Sequence, residues 1–175
     1  LMQYNGLLLQ LPREIKSFLA IFVMVLSVGY FTGLLFLGQT ETTTPAGIEE
    51  NYLGNEDDPD AAVMKFGKGE SEMLTIIHTH ILSISFIFFL LGTIMLFTSL
   101  PKKLKFFLII EPFLSILLSF GGIYFVWKGI SWVKYVVLIS GILMTVIFII
   151  SVIIVLYQLL FMKSGKVISK SRPLS

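Results

Sequence analysis

The sequence predicts an all-α integral membrane protein in which four transmembrane helices form an antiparallel bundle. Only 14% of its 175 residues are charged and 55% are hydrophobic, whereas about 25% of a soluble domain is charged. Four apolar runs are long enough to cross the hydrocarbon core of about 30 Å, which takes about 20 helical residues. These runs cover residues 17–38, 73–100, 106–127 and 131–161. Cysteine is absent from the chain, which excludes disulfides, thiolate metal sites and iron–sulfur clusters held by it.

The N-terminal segment, residues 1–16, starts with an apolar stretch that is too short to span and ends at Pro12. We expect it to lie at the cytoplasmic membrane interface. The first span, 17–38, follows Arg13 and Lys16. Its apolar stretch is too long for the hydrophobic region of a signal peptide, and no small-residue cleavage site follows it. We therefore expect it to be a retained span.

The loop of residues 39–72 is predicted to be extracytoplasmic and strongly acidic, with nine carboxylates against two lysines. It has too few apolar residues to fold alone, so we expect it to lie on a partner protein or on the outer end of the bundle. Its NEDDPD stretch lacks the spacing of an EF-hand. A solvated acidic surface and a docking patch for a basic partner, such as a small cytochrome c, are the two alternatives. The predicted partner-contact residues of the loop are Glu49, Glu50, Tyr52, Asp57, Asp58, Asp60, Glu70 and Glu72.

The second half of the chain is predicted to hold three spans joined by short turns. A basic cytoplasmic turn makes the second and third spans an antiparallel hairpin, and a short extracytoplasmic turn leads to the fourth. The basic C-terminal tail is expected to be attracted to anionic lipid. In order, the segments are 73–100, 101–105, 106–127, 128–130, 131–161 and 162–175.

The distribution of basic residues predicts the orientation. Nine of the thirteen lysines and arginines fall on the side of the two termini, and cytoplasmic loops carry the excess of such residues. Both termini are therefore predicted to be cytoplasmic, in a multi-pass protein of a bacterial inner membrane. Trp127, Trp132, Tyr124 and Tyr135 are expected to form an aromatic belt at the outer face.

The chain has two histidines, His78 and His80, on the second span. Residues two apart on a helix differ by about 200° in direction, so the pair is not expected to ligate one haem iron. Small and polar residues mark the packing face of a membrane helix, and His78 shares a stripe with Ser85 and Gly92. We therefore expect His78 to lie inside the bundle and His80 to face outward, against another protein.

A buried His78 allows several interpretations. The imidazole is either hydrogen-bonded to a residue such as Tyr124 or Tyr135, part of a quinol site, or a ligand of haem b. In the last case the second ligand comes from a methionine or from a partner. We expect no cofactor to be held by this chain alone, and the sequence leaves metal binding undecided. For Glu111, the alternatives are a protonated acid tied to Gln158 or to a backbone carbonyl, and a proton relay.

The stretch KGESEMLTIIHTHILS, preceded by GIEENYLGNEDD, resembles small four-span membrane proteins that accompany periplasmic respiratory reductases. Within that group it is similar to the NosB-like protein associated with clade II nitrous oxide reductases, with GYFTGLL in the first span as further support. The resemblance implies a bacterial inner-membrane partner for a large periplasmic copper or haem enzyme. It implies no catalytic residue in this chain.

Three functions are compatible with these features. The first is a non-catalytic membrane subunit that docks a larger periplasmic redox enzyme and assists electron delivery to it, with membrane lipids as further partners and no nucleic acid. The alternative is an electron-transfer subunit that binds haem b or quinol. A small carrier or channel is the third, and the absence of internal repeats and broken helices disfavours it.

Overall fold

The computed structural model describes residues 4–40, 42–59 and 63–162, and every regular element in these ranges is helical. Four stretches are long and apolar enough to cross a membrane: α1 (Arg13–Gln39), α3 (Glu70–Leu96), the stretch Lys102–Trp127 and α6 (Val133–Leu160). The predicted all-α architecture with four spans is therefore confirmed. Asp60 and the tail 163–175 lie outside the described residues.

The third span changes its helical form midway. It consists of α4 (Lys102–Ile116), a π-helical turn (Leu117–Gly121) and α5 (Gly122–Trp127). Pro112 lies inside α4, where it removes a backbone donor and favours a kink. Such π-helical turns are rare and often occur at functional sites.

The helix α6 is the centre of the bundle, because each of the other three spans contacts it. Ser119 of the third span and Ser140 of α6 join their hydroxyl oxygens at 2.7 Å. Gly122 faces Val137 of α6 closely. These pairings give α6 and the third span opposite directions.

An aromatic cluster joins three spans in the middle of the bundle. Tyr30 of α1 stacks on Phe148 of α6, with ring centroids 3.9 Å apart and an interplanar angle of 13°. Phe88 of α3 lies edge-on to both rings, at 6.2 and 5.9 Å. The Tyr30 hydroxyl lies 3.2 Å from that of Thr145. Since α1 packs mainly on α6, this cluster anchors it there, together with the buried Ala20 and Val23.

The N-terminal segment packs into the bundle rather than only lying at its surface. It forms a short 3₁₀ helix (Leu7–Gln10), in which Leu8 is buried and its N–H donates to the Phe97 carbonyl at 3.0 Å. The Lys105 ammonium donates to the Asn5 side chain at 2.7 Å and to the Thr98 carbonyl at 2.6 Å. These contacts attach the segment to the turn between α3 and α4.

The orientation remains a prediction that single cysteines can test, since the chain has none of its own. We expect Asp57→Cys to react with a membrane-impermeant maleimide in intact cells, and Lys103→Cys to react only after permeabilisation. Both positions are exposed at opposite ends of the bundle. Labelling of position 103 alone in intact cells would reverse the predicted topology.

Candidate functional site

The acidic loop folds into a cap on one end of the bundle, which we define as residues 42–59 and 63–69. Its helix α2 (Pro45–Leu53) begins after Thr44, whose hydroxyl accepts a hydrogen bond from the Gly47 N–H at 3.1 Å. A threonine in this N-cap position followed by proline is a favoured helix start. Ile48 and Tyr52 of α2 are buried in an apolar cluster whose other buried members are Met73, Ile123, Val126, Val133 and Val137.

The chain returns from the cap to α3 along residues 63–69, which we call the return segment. Asn55 holds this segment, because its side-chain oxygen accepts from the Lys65 N–H at 2.6 Å and its amide donates to the Val63 carbonyl at 3.0 Å. The Trp127 indole N–H donates to the Lys68 carbonyl at 2.8 Å. The return segment is therefore bonded both to the end of α2 and to the bundle.

Several of the predicted docking carboxylates are paired within the chain. Glu49 forms an ion pair with Lys134 of α6 and accepts a hydrogen bond from the Ser131 hydroxyl at 2.5 Å. The hydrogen bond from Lys134, followed by that from Ser131, lowers the pKa of the Glu49 carboxyl. Glu50 lies 3.5 Å from the Lys65 ammonium. These pairs attach the cap to the bundle and stabilise the return segment.

Other acidic residues of the cap, and those in the first turn of α3, form local contacts or are exposed. Glu72 pairs with Lys68 at 2.6 Å, and Glu56 accepts from the Gly67 N–H at 3.0 Å. Asp57 and Glu70 are exposed. The Asp58 side chain is exposed as well, and its N–H donates to the Asn55 carbonyl at 3.0 Å.

The prediction that Tyr52 contacts a partner is wrong, because the residue is only 8% exposed. It belongs to the apolar cluster under the cap, and burial raises the pKa of its hydroxyl. The small apolar content of the loop is thus used to pack α2 on the bundle. That use leaves Tyr52 unavailable for a partner.

The cap carries exposed apolar side chains that were not predicted from the sequence. We call them the cap patch: Leu53, Val63, Met64 and Phe66. Phe66 is 71% exposed. The hydrogen bonds of Asn55 bring the end of α2 and the return segment side by side, and the exposed Glu56, Asp57 and Asp58 follow directly on that end. The sequence signal for the patch is the stretch VMKF, which places three apolar side chains around Lys65 in a loop rich in carboxylates.

The predicted position of His78 inside the bundle is wrong. His78 is exposed beside Leu74 and Thr75, outside the bundle. His80 is exposed, as expected, but it is not turned away from the bundle. Its ring stacks on Phe120 of the π-helical turn, with centroids 5.1 Å apart, and its Nδ1 lies 2.7 Å from the Ile76 carbonyl oxygen.

The predicted polar site of His78, Tyr124 and Tyr135 is therefore not assembled. His78 and Tyr135 are exposed, and Tyr124 is half-buried with its ring against Phe125 and Trp127. Within the described part of the chain, no three histidine or acidic side chains are grouped so that they could hold a metal ion.

Glu111 is buried inside the third span, with 8% of its surface exposed. Its Oε1 accepts a hydrogen bond from the Ser115 hydroxyl one turn on, while its Oε2 has no partner. Of the two partners predicted for the Glu111 carboxyl, Gln158 or a backbone carbonyl, Gln158 is wrong, because its amide is bonded elsewhere. Its oxygen accepts from the Ser99 N–H at 2.8 Å, and its nitrogen donates to the Ser99 carbonyl at 3.3 Å.

The fold and the cap together define a membrane-embedded four-helix domain with a folded polar cap at one end. Residues 42–166 match the family model Aq_1264_TM, a transmembrane helical domain, and the match covers more than half of the chain. The protein belongs to this family. No curated protein and no solved structure matches it.

Proposed function

We propose that the protein is a non-catalytic membrane subunit whose cap docks a larger extracytoplasmic redox protein with a basic contact surface. The observation that carries the proposal is the cap patch, in which exposed apolar side chains adjoin exposed carboxylates. Protein interfaces combine an apolar, often aromatic core with a polar rim. Phe66 is the aromatic residue available as a core contact.

The acidic rim indicates the charge of the expected partner, whose contact surface should be basic. Asp57 and Asp58 are exposed on the cap and Glu70 is exposed beside it, at the start of α3. Complementary charge speeds the encounter of two proteins and favours one orientation. The chain's own lysines already pair with Glu49, Glu50 and Glu72. A basic partner would face the exposed carboxylates of Asp57 and Glu70.

The redox character of the partner rests on the resemblance of KGESEMLTIIHTHILS to membrane proteins that accompany periplasmic respiratory reductases. We propose that the partner is a copper or haem enzyme, or a cytochrome c, and that it carries the redox cofactor. In this proposal the cap holds the partner at the surface of a bacterial inner membrane, where it can receive electrons.

Co-purification of the tagged full chain from its source membranes in mild detergent tests the proposal. Phe66→Ala should weaken the complex at any salt concentration by about 30-fold, since truncating an interface anchor costs about 2 kcal/mol. Neutralising Asp57, Asp58 and Asp60 together should weaken it mainly at low salt, because rim charges act through screened, long-range attraction.

Phe86→Ala is the matched control, because Phe86 is 62% exposed on α3 within the membrane span. It should leave the complex intact. The co-purified protein should show the absorption spectrum of bound haem or copper. A partner without a redox cofactor would refute the redox part of the proposal, and a complex indifferent to Phe66→Ala would refute docking through the cap patch.

A further inference from the structure

A cavity of about 390 Å³ lies beneath the cap, between the end of α1, the π-helical turn with α5, and α6. Its volume falls in the range of small-molecule sites, about 300–1,000 Å³. The roof is formed by Ile48 and Tyr52 of α2, and the walls include Leu34, Ile123, Val137 and Met144. These walls are almost entirely apolar.

The cavity lies in the half of the membrane next to the cap. Its wall on α6 runs from Val137 to Val146, about 6 to 20 Å below the cap-side end of that helix at 1.5 Å per residue. Half of a hydrocarbon core measures about 15 Å. Leu37, Ile142 and Val146 line the cavity and are also exposed on the membrane-facing surface, so the cavity adjoins the lipid laterally.

The hydroxyl groups of the innermost part of the cavity are already bonded within the protein. Ser119 pairs with Ser140, and the Thr145 hydroxyl contacts Tyr30 at 3.2 Å and donates to the Gly141 carbonyl at 2.9 Å. In this innermost part a quinone ring would bring a carbonyl oxygen among hydroxyls that are already bonded, which is costly. A hydrocarbon chain has no polar atoms that need hydrogen-bond partners.

We propose that this cavity binds one acyl chain of a phospholipid from the cap-side leaflet. The chain enters between α1 and α6 and fills the space beneath α2, while the headgroup stays at the membrane surface near Thr42 and Thr43, which line the cavity at the cap end. The bound chain packs against both the span α1 and the roof of the cap. The proposal does not depend on what the cap docks.

Native mass spectrometry of the full chain, released from nanodiscs containing phosphatidylglycerol and an isoprenoid quinone, tests the proposal. Wild type should retain one phosphatidylglycerol. Gly141→Leu should reduce the retained lipid about tenfold or more, since this glycine lines the cavity and a Cβ there meets only the Ser119 hydroxyl oxygen, at 4.0 Å. Gly29→Leu is the matched control, because Gly29 is exposed on α1 with open space around it.

Photocrosslinking of the wild-type protein gives a second measurement that needs no variant. Phosphatidylglycerol with a diazirine in its acyl chain should label Ile123, Val137 or Met144, which line the cavity but are buried from the surrounding bilayer. Preferential retention of the quinone, equal retention in Gly141→Leu and wild type, or labelling confined to outward-facing residues would each overturn the proposal.

Discussion

Gly54→Ala is expected to separate the return segment from α2 and to loosen the cap while the four spans stay folded. Gly54 ends α2 with φ 88° and ψ 174°, a backbone conformation that is essentially restricted to glycine. A Cβ at this position would also lie 2.6 Å from the Gly67 nitrogen and 3.0 Å from the Lys65 oxygen, both of them backbone atoms. Backbone strain of this kind alone costs about 1–3 kcal/mol, and the clash adds to it. Because Gly54 leads directly into the bonds of Asn55, the return segment should separate from α2.

Hydrogen exchange of the full chain in detergent measures this effect by residue. Amides of residues 45–69 should exchange much faster in Gly54→Ala, while those in the middle of α6 keep their protection. Gly67→Ala should do the same by an independent route, since its Cβ would lie 2.6 Å from the Leu53 oxygen. Gly69→Ala, where a Cβ meets nothing within 4 Å, is the control. Unchanged hydrogen exchange in Gly54→Ala would mean that the close approach of Gly54 to the return segment does not stabilise the cap.

The four spans were predictable from sequence because the thickness of the bilayer dictates the length of an apolar helix. The observed ends of the spans differ from the predicted ends by a few residues; α3, for example, begins at Glu70 instead of Met73. The π-helical turn Leu117–Gly121 was not predicted. Its apolar residues do not differ in type from those of an ordinary membrane helix. The position of the turn is instead set by its packing against α6 and α3.

The histidine error has a geometrical cause. Successive side chains of a helix point about 100° apart around its axis. Met73, Ile84 and Leu91 lie seven, four and eleven residues from His80, so they share a face of α3 with it. Met73 and Leu91 are fully buried. The rule that small residues mark the packing face instead predicted that the stripe of His78 faces the bundle. In this bundle α3 packs mainly through large apolar side chains. Gly92 of the His78 stripe is buried, but His78, nearer the cap, is exposed, so the rule fails at the position of His78.

The cap could be predicted only in part. Its acidity and its need for support were visible in the composition of the loop. Its attachment was not, because it depends on pairs far apart in sequence: Glu49 with Lys134, and Trp127 with the Lys68 carbonyl. For the same reason, the carboxylates that attach the cap were not distinguishable from those at its surface.

Phe148→Ala is expected to destabilise the bundle more than any other single truncation of a ring. Phe148 is fully buried, stacks on Tyr30 at 3.9 Å, and lies edge-on to Phe88 and Phe31. Truncating a buried phenylalanine costs about 3–5 kcal/mol through lost contacts and the cavity left behind. In a chain of this size that corresponds to a fall in Tm of roughly 6–20 °C.

The loss should be concentrated in α1, because that span packs mainly on α6 and its Tyr30 ring would lose the stacked partner. Thermal unfolding of the purified chain in one detergent measures the total effect, and hydrogen exchange shows whether α1 loses protection before α4. Phe86→Ala removes a ring of equal size that is 62% exposed on the surface of α3 and should change Tm by far less. If both variants melt together, the stability of the bundle does not depend on the aromatic cluster. If Phe148→Ala melts early but α1 and α4 lose protection equally, the cluster stabilises the whole bundle rather than anchoring α1.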